Sequence, residues 1–390
     1  MSSAFFNRER FGVPQVIGAV LLLFLLAQCA WFIAYVPLTQ MEATYVRGGL
    51  DYLSGQAIVF DSIRSPLVSL MASVPLRVLH PDAAAKYYDQ FYLDSHRWLI
   101  RLPFVISGLL LGASLWYVAR RLYGNTGGYI ALGLYAFNPA AVSHMSFASP
   151  EVIAAWGAFG AVFTAIAVAH TLYAPREVVL WNWRRILLLG FCIYLMVGAQ
   201  FSTVLLLLLA LCFMLWAVPH RRSAALVIFL ASCVVAAVML LIAYLFRFGD
   251  FYHGLATAQW LRLSPRSVIS PLVYRSASFF YLREAAAPTL LFLLAFLAYV
   301  PWRRTRFFGN TSPLLVVVLL LLLAFAMPGT PGYALYFVAL PFIMLFSSGV
   351  LTDVLENPRL NWALGIVMGV LLTQGVVGFM GLAHLSRSSG

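Results

Sequence analysis

Long apolar runs separated by short polar connections occur from one end of the chain to the other. Most runs approach the length of about 20 residues that a helix needs to cross the hydrocarbon core of a bilayer. The pattern predicts an all-α polytopic membrane protein with about 11 transmembrane helices. The predicted spans are residues 14–36, 100–119, 126–144, 151–172, 186–199, 201–218, 224–246, 286–302, 312–327, 333–350 and 361–384.

Composition agrees with the pattern of apolar runs. The chain has 390 residues, of which 63% are hydrophobic and only 10% are charged. A soluble domain of this length carries about 25% charged residues. We therefore expect residues 1–390 to form a single membrane domain.

Many of the positive charges lie in the short connections between the predicted spans. The formal net charge of +12 comes almost wholly from arginine, and Lys86 is the only lysine. No basic run of the kind that marks a nucleic-acid site occurs, so we expect no nucleic-acid partner. If the amino end is cytoplasmic, the arginines of the short connections all face inside, and the carboxyl end lies outside. These arginines are Arg8, Arg10, Arg120, Arg121, Arg176, Arg184, Arg185, Arg221, Arg222, Arg303, Arg304, Arg306 and Arg359.

Two connections on the predicted outer face are long. The second of them, residues 247–285, is rich in arginine and aromatic residues. The first, residues 37–99, has apolar residues at helical spacing in segments 42–54 and 66–79, which are too short to span and are typical of interfacial helices. It also carries six of the thirteen acidic residues: Glu42, Asp51, Asp61, Asp82, Asp89 and Asp94.

Four ionisable residues near the predicted outer face are candidates for chemistry. Glu42 is either a solvent-facing carboxylate at a helix start or a general base or ion ligand at the mouth of a cavity. Arg64 precedes the helix start at Pro66, where it contacts either lipid headgroups or a bound phosphate.

Arg101 and Glu151 lie where spans begin. An arginine inside a span needs a counter-charge, so Arg101 is either a functional group or the structural partner of a first-loop carboxylate. Glu151 follows Ser149 and Pro150, which have the pattern of a helix start, and it is also a candidate second carboxylate facing the same compartment as Glu42. The histidines show no metal-ligand spacing, and no metal site is predicted.

The order of these motifs resembles the GT-C superfamily of integral-membrane glycosyltransferases, in particular the protein O-mannosyltransferase and lipid A aminoarabinose transferase group. The resemblance rests on Glu42-Ala-Thr-Tyr45 after the first span, Arg64-Ser-Pro-Leu67, Arg101-Leu-Pro103 and the acid Glu151. It covers residues 14–175 as a GT-C-like core, with residues 176–390 adding further spans. The presumed catalytic aspartate of the family falls on Met41.

The resemblance implies transfer of a sugar from a polyprenyl-phosphate donor to a lipid, glycan or protein acceptor, in the inner membrane of a bacterium and on its outer face. Glu42 is then the candidate base, Glu151 a second carboxylate, and Arg64, Arg101 and Arg275 the candidate ligands of the donor phosphate. No cofactor follows from the sequence, and a divalent cation stays open.

Two other functions stay open from the sequence. Met41 favours a catalytically inactive GT-C-like subunit of a larger membrane assembly. A lipid or sugar transporter or flippase ranks third, because the ionisable residues cluster at one membrane edge and no internal repeat is visible.

Overall fold

The computed structural model of this protein describes residues 12–56, 61–80, 89–172, 183–300, 307–356 and 362–388. All regular secondary structure in these ranges is helical, as the apolar pattern predicts. Several charged positions named above lie outside the described residues: Arg8, Arg10, Asp82, Lys86, Arg176, Arg303, Arg304, Arg306 and Arg359.

The first half of the chain contains two long apolar helices, a set of short helices between them, and a third long helix. In chain order these are α1 (Val13–Tyr35), α2 (Gln40–Leu53), α3 (Leu67–Leu79), α4 (Gln90–Ser95), α5 (Arg97–Ala136), α6 (Pro139–Ser146) and α7 (Pro150–Thr171).

The second half continues with membrane-length helices interrupted by a second group of short ones. They are α8 (Trp183–Ala199), α9 (Leu205–Ala217), α10 (Arg222–Ala243), α11 (Phe248–Thr257), α12 (Pro265–Val268), α13 (Pro271–Phe279), α14 (Ala286–Tyr299), α15 (Phe307–Ala326), α16 (Thr330–Leu355) and α17 (Trp362–Ser388). A 3₁₀ turn, Phe201–Val204, leads into α9, and a π-helical turn, Phe280–Glu284, follows α13.

Among the described residues, seven helices are long and apolar enough to cross a membrane, or eight if the bent pair Pro271–Glu284 and Ala286–Tyr299 is one span. The 40-residue α5 supplies two of the predicted spans, because it breaks at Gly124, where φ is 82°. Its halves then run antiparallel, and the Tyr135 hydroxyl donates to the Gly108 carbonyl at 3.0 Å. The protein is thus an integral membrane protein with an all-α polytopic fold.

Both long loops lie at one end of the bundle, which we call the loop end. The Gln259 amide donates to the Ser62 carbonyl at 2.7 Å, and the Tyr52 hydroxyl donates to the Tyr244 carbonyl at 2.7 Å. The sequence did not require these loops to meet. The side of the membrane that the loop end faces stays a prediction.

The opposite end gathers arginines of the short connections. Arg221 Nη1 donates to the Leu172 carbonyl at 2.5 Å, and Arg185 Nη1 donates to the Ala167 carbonyl at 3.5 Å. This grouping of arginines is the one that the positive-inside pattern predicts. The proposed division of the domain near residues 175 and 176 stays a prediction.

The core of the bundle is α16, whose membrane-spanning window is wholly buried. A helix that is apolar on every side and fully buried is typical of the centre of a large bundle. α5, α7, α14 and α15 surround it. Its first residues, after the turn at Gly329, reach the loop end and bring Tyr333 there.

The predicted interfacial helices of the first loop exist as α2 and α3. Predicted segment 42–54 corresponds to Gln40–Leu53, and predicted segment 66–79 corresponds to Leu67–Leu79 with Pro66 at the helix start. The two helices cross closely at Gly49, where an added Cβ would lie 2.3 Å from the Ser69 carbonyl oxygen. Only glycine fits this crossing.

Candidate active site

Glu42 and Arg101 form a buried ion pair. Arg101 Nε lies 2.8 Å from Glu42 Oε1, and Arg101 Nη2 lies 2.8 Å from Glu42 Oε2. This is the two-point geometry that a guanidinium and a carboxylate favour. The Arg101 side chain is 0% exposed and the Glu42 side chain 3% exposed. α2 and the start of α5 are thereby joined at the loop end.

Backbone groups use the remaining hydrogen-bonding capacity of the pair. Glu42 Oε2 accepts from the Thr39 amide at 2.9 Å and from the Thr39 hydroxyl at 3.0 Å, while Oε1 accepts from the Ala148 amide at 2.9 Å. Arg101 also donates to the carbonyls of Val36 at 2.8 Å and Pro37 at 2.9 Å. A carboxylate has about four lone-pair sites, and five donors occupy those of Glu42.

This geometry is that of a structural pair. A general base needs a lone pair that faces the hydroxyl it deprotonates, and a phosphate ligand needs free N–H groups. Neither side chain lines the two cavities described below. The predicted roles of Glu42 and Arg101 stay predictions, and their contacts do not favour them. Met41, where the sequence resemblance places the presumed catalytic aspartate, is 57% exposed and has no proton-accepting group.

Arg64 is held at the edge of an open region by two contacts. Its Nε lies 2.8 Å from Asp61 Oδ2, and its Nη1 donates to the Tyr45 hydroxyl at 2.5 Å. The next residue, Ser65, donates through both its amide and its hydroxyl to the Gly198 carbonyl, at 3.0 and 2.8 Å. The chain before α3 is therefore pinned to the end of α8, which fixes the position of Arg64.

A polar cavity of about 520 Å³ opens beside Arg64, between α2 and the chain that leads into α3. Its charged lining consists of two arginines and two aspartates, and three tyrosines contribute aromatic surface. We call it the polar cavity. Its lining residues are Thr44, Tyr45, Arg47, Gly48, Gly49, Asp51, Tyr52, Asp61, Arg64, Ser65, Pro66, Ser69 and Tyr244.

Glu151 lies in the first turn of α7, three residues after the Ala148 amide that donates to Glu42 on α2. Ser149, the N-cap residue of α7, donates its hydroxyl to Glu151 Oε2 instead of capping the backbone. Burial raises the pKa of Tyr45 to about 12; Arg64 opposes this shift, and Glu151 and Asp61 add to it. Tyr45 therefore keeps its proton at neutral pH, and Glu151 is close enough to act on it electrostatically.

Glu151 also acts electrostatically on Tyr333 at the start of α16. The Tyr333 hydroxyl in turn donates to Glu284 Oε2 at 3.4 Å. We call Arg64, Tyr45, Glu151, Tyr333 and Glu284 the open row: hydrogen bonds join Arg64 to Tyr45 and Tyr333 to Glu284, and the charge of Glu151 acts on both tyrosines. One Glu151 oxygen accepts from Ser149, and Glu151 lines neither the polar cavity nor the groove described next.

The far end of the open row reaches an apolar groove of about 650 Å³ between α14 and α17. Most of its lining is aliphatic, and Arg283 and Glu284 are its charged residues. We call it the apolar groove. Its lining residues are Pro139, Leu282, Arg283, Glu284, Ala286, Ala287, Thr289, Leu290, Leu293, Ile366, Gly369, Val370, Thr373, Gln374 and Val377.

The second loop places Arg283 rather than Arg275 at this groove. The π-helical turn ends at Glu284, and the helix axis then bends by 98° into α14. Arg283 follows the bend and lines the groove, with its guanidinium 5.2 Å from the centre of the Phe279 ring. Arg275 is exposed on α13 and lines neither cavity. Its predicted role as a phosphate ligand stays a prediction that this position does not favour.

Sequence reasoning gave no role to three residues near this row, Glu284, Tyr333 and His144, and it included Arg283 only in the arginine-rich stretch 262–283 as a general source of phosphate ligands. His144, at the end of α6, stacks on Phe337 with ring centres 4.4 Å apart. The bend that carries Arg283 and Glu284 has no sequence signal, because π-helical turns have no fixed residue pattern. No group of three or more potential metal ligands occurs among the described residues.

Comparison with known proteins identifies the fold. The crystal structure of the Archaeoglobus fulgidus oligosaccharyltransferase in the apo form superimposes with a TM-score of 0.66 and 14% identity over 98% of this chain and 56% of that chain. ArnT from Cupriavidus metallidurans bound to undecaprenyl phosphate superimposes with a TM-score of 0.58 and 14% identity, over 93% of this chain and 64% of that chain. ArnT from the same organism in the apo state superimposes with a TM-score of 0.55 and 15% identity, over 89% of this chain and 60% of that chain.

These neighbours are GT-C superfamily membrane glycosyltransferases, and this chain has the GT-C fold. The chain spans 56–64% of their length. No protein-family model matches the sequence, and no curated protein matches it in a sequence search. The resemblance seen in short motifs is therefore confirmed at the level of the fold.

Proposed function

We propose that this protein is a membrane glycosyltransferase that moves a sugar from a polyprenyl-phosphate donor to an acceptor at the loop end. The observation that carries the proposal is that an apolar groove and a polar cavity both open at the loop end, with Glu284 lining the groove and Tyr45 and Arg64 lining the cavity. A lipid-linked sugar needs an apolar site for its tail and a polar site for its reaction, side by side. The ArnT structure with undecaprenyl phosphate supports a donor of this class.

The apolar groove is the proposed site of the prenyl tail. Its aliphatic walls match the chemistry of an isoprenoid chain, and Arg283 stands where the tail would meet its phosphate. A guanidinium at this position would bind the phosphate through two N–H groups and stabilise the charge that develops as it leaves. Arg283 thus takes the role that the sequence assigned to Arg275.

Glu151 is the proposed general base. The acceptor hydroxyl gives its proton to Glu151, and its oxygen forms a bond to the anomeric carbon of the sugar. The bond from that carbon to the phosphate oxygen breaks, and its electron pair leaves with the polyprenyl phosphate. General-base catalysis of this kind accelerates a reaction by about 10²- to 10⁴-fold. Glu151 is favoured over Glu42 because the lone pairs of Glu42 are already used.

The proposed setting is the inner membrane of a bacterium, with the loop end outside. The second candidate is an inactive GT-C-like subunit of a larger membrane assembly. Met41 favours it, because the thioether replaces the acid that the family places there. A divalent cation stays open for either function.

The test is transfer by purified protein in detergent or nanodiscs, with radiolabelled polyprenyl-phosphate sugars as donors. The wild type is expected to release polyprenyl phosphate, and Glu151→Gln to lower the rate by about 10²- to 10⁴-fold. Glu356→Gln, which changes a carboxylate at the other end of the bundle, is the matched control and should retain full activity. A folded wild type without turnover of any donor, purified with a stoichiometric partner protein, would favour the inactive subunit.

A further inference from the structure

The polar cavity lies at the end of the open row opposite the apolar groove. A role for it in the reaction rests on the proposed function. We propose that it is the acceptor subsite and that it takes a neutral, polyhydroxylated acceptor, that is, the hydroxyl-rich end of a saccharide. The proposal rests on the position of the cavity, its charge, its size and the open space at Gly48.

Position assigns the cavity to the acceptor. Displacement at the anomeric carbon requires the attacking oxygen and the leaving phosphate to lie on opposite sides of that carbon. The apolar groove lies at the Glu284 end of the open row, and the polar cavity lies at its Tyr45 and Arg64 end. With the tail and phosphate at the groove, the acceptor approaches from the polar cavity.

Charge balance argues against a strongly anionic occupant. Arg47 and Arg64 line the polar cavity together with Asp51 and Asp61, so the formal charges of the lining cancel. Asp61 already lies 2.8 Å from Arg64 Nε, which partly neutralises that guanidinium. A dianionic phosphate would meet the two carboxylates, which repel it. A neutral ligand with many hydroxyl groups finds donors and acceptors of both kinds.

The size of the cavity fits the same class of ligand. Its three tyrosines, Tyr45, Tyr52 and Tyr244, are 9%, 1% and 1% exposed and form packed walls. The volume of about 520 Å³ lies within the range of small-molecule sites, about 300–1,000 Å³. The Tyr52 hydroxyl is held by the Tyr244 carbonyl, so this wall is rigid.

Gly48 leaves the floor of the cavity open. A Cβ added at Gly48 meets nothing within 4 Å, whereas one added at the neighbouring Gly49 would lie 2.3 Å from the Ser69 carbonyl oxygen. Because Gly48 lines the cavity and has open space at its Cβ, we expect a large side chain at position 48 to fill part of the cavity and to leave the crossing of α2 and α3 intact. This difference supplies a variant that blocks the cavity and spares the fold.

The experiment compares the wild type, Gly48→Phe and Gly48→Ala in two independent assays. The first is ligand-observed NMR with methyl α-mannoside, methyl α-glucoside and cellobiose at millimolar concentration, with a serine tripeptide as the alternative probe. The second is the slow release of polyprenyl phosphate from the donor with water as acceptor. Thermal unfolding of each variant verifies that the fold is intact.

We expect at least one saccharide to bind the wild type and Gly48→Ala, with loss of detectable binding in Gly48→Phe. The KM for the donor in the release of polyprenyl phosphate to water should be equal in all three proteins, since donor sites are not altered. Any of three results would overturn the proposed subsite. They are equal saccharide binding to folded Gly48→Phe and the wild type, no saccharide binding to the wild type, and a Gly48→Phe variant that loses binding of the tripeptide but not of the saccharides. Saccharide binding without any donor turnover would support the subsite and count against the proposed function instead.

Discussion

Two of the arginine–carboxylate pairs at the loop end differ in what surrounds them. Arg101 and Glu42 are 0% and 3% exposed, and backbone groups complete the hydrogen bonds of both. Arg64 and Asp61 are 9% and 40% exposed and line a cavity of about 520 Å³. Both are guanidinium–carboxylate pairs, but of the two only Arg64–Asp61 faces space that a ligand could occupy. Availability of the charged atoms separates a structural pair from a candidate site.

Removing one partner of the buried pair is expected to have the largest effect. Glu42→Gln leaves the Arg101 guanidinium buried without a counter-charge, and such a change costs about 3–5 kcal/mol of unfolding free energy. Thermal and denaturant unfolding in detergent would measure it. The double variant Glu42→Gln/Arg101→Met should recover part of the loss, because it removes the orphaned charge. Glu42→Gln with wild-type stability but no transfer would make Glu42 the base after all.

Arg283 and Arg275 of the second long loop are expected to differ in their effect on donor binding. Arg283→Ala removes the charge at the polar end of the apolar groove and should raise the KM for the donor by about 10- to 100-fold, the value of hydrogen bonds to a charged group. Arg275→Ala is the matched control, since Arg275 lines neither cavity, and should change KM little. Steady-state kinetics with varied donor would separate them. The reverse order would restore Arg275 as the phosphate ligand.

Two adjacent glycines are expected to respond differently at the border of the polar cavity. Gly49→Ala forces a methyl group against the Ser69 carbonyl and the Ser73 hydroxyl, 2.3 and 2.4 Å away, and should cost about 1–3 kcal/mol. Gly48→Ala adds the methyl group to open space and should be neutral or stabilising by less than about 1 kcal/mol. The unfolding free energies of the two variants measure this difference. Equal values would mean that α2 and α3 do not cross here.

The smallest expected effect is that of Tyr45→Phe, which removes a hydrogen bond to Arg64 worth about 1 kcal/mol at neutral pH. Because burial raises the pKa of Tyr45 from 10.0 to about 12, the folded protein holds this proton more tightly than the unfolded chain. That stabilisation is complete below pH 10 and is lost as pH rises toward 12. Unfolding midpoints of wild type and Tyr45→Phe should therefore converge with rising pH. A constant difference up to pH 12 would contradict the raised pKa.

The difference between the two ion pairs also shows which features of the candidate site could be predicted from the sequence. The sequence offered two interpretations of Arg101: a functional group, or the partner of a first-loop carboxylate. In the structure Arg101 forms an ion pair with Glu42, which is the contact that the second interpretation requires. The sequence also placed Glu151 in the first turn of a helix after Pro150, which is confirmed. Periodicity cannot tell whether the lone pairs of Glu42 are already used in hydrogen bonds. One of these bonds comes from the Ala148 amide, which lies 106 residues away in the chain.

The sequence by itself determined the class of the protein. Apolar runs of membrane length require helices, since an unpaired backbone is too costly in lipid, and paired arginines mark the ends of the spans. The short motifs were sufficient for the GT-C resemblance. Tertiary structure alone decided which charged residues are saturated, that the two long loops meet, and that Arg283 rather than Arg275 reaches the apolar groove. Those outcomes depend on contacts between residues far apart in the chain, and on a 98° bend that no local pattern encodes.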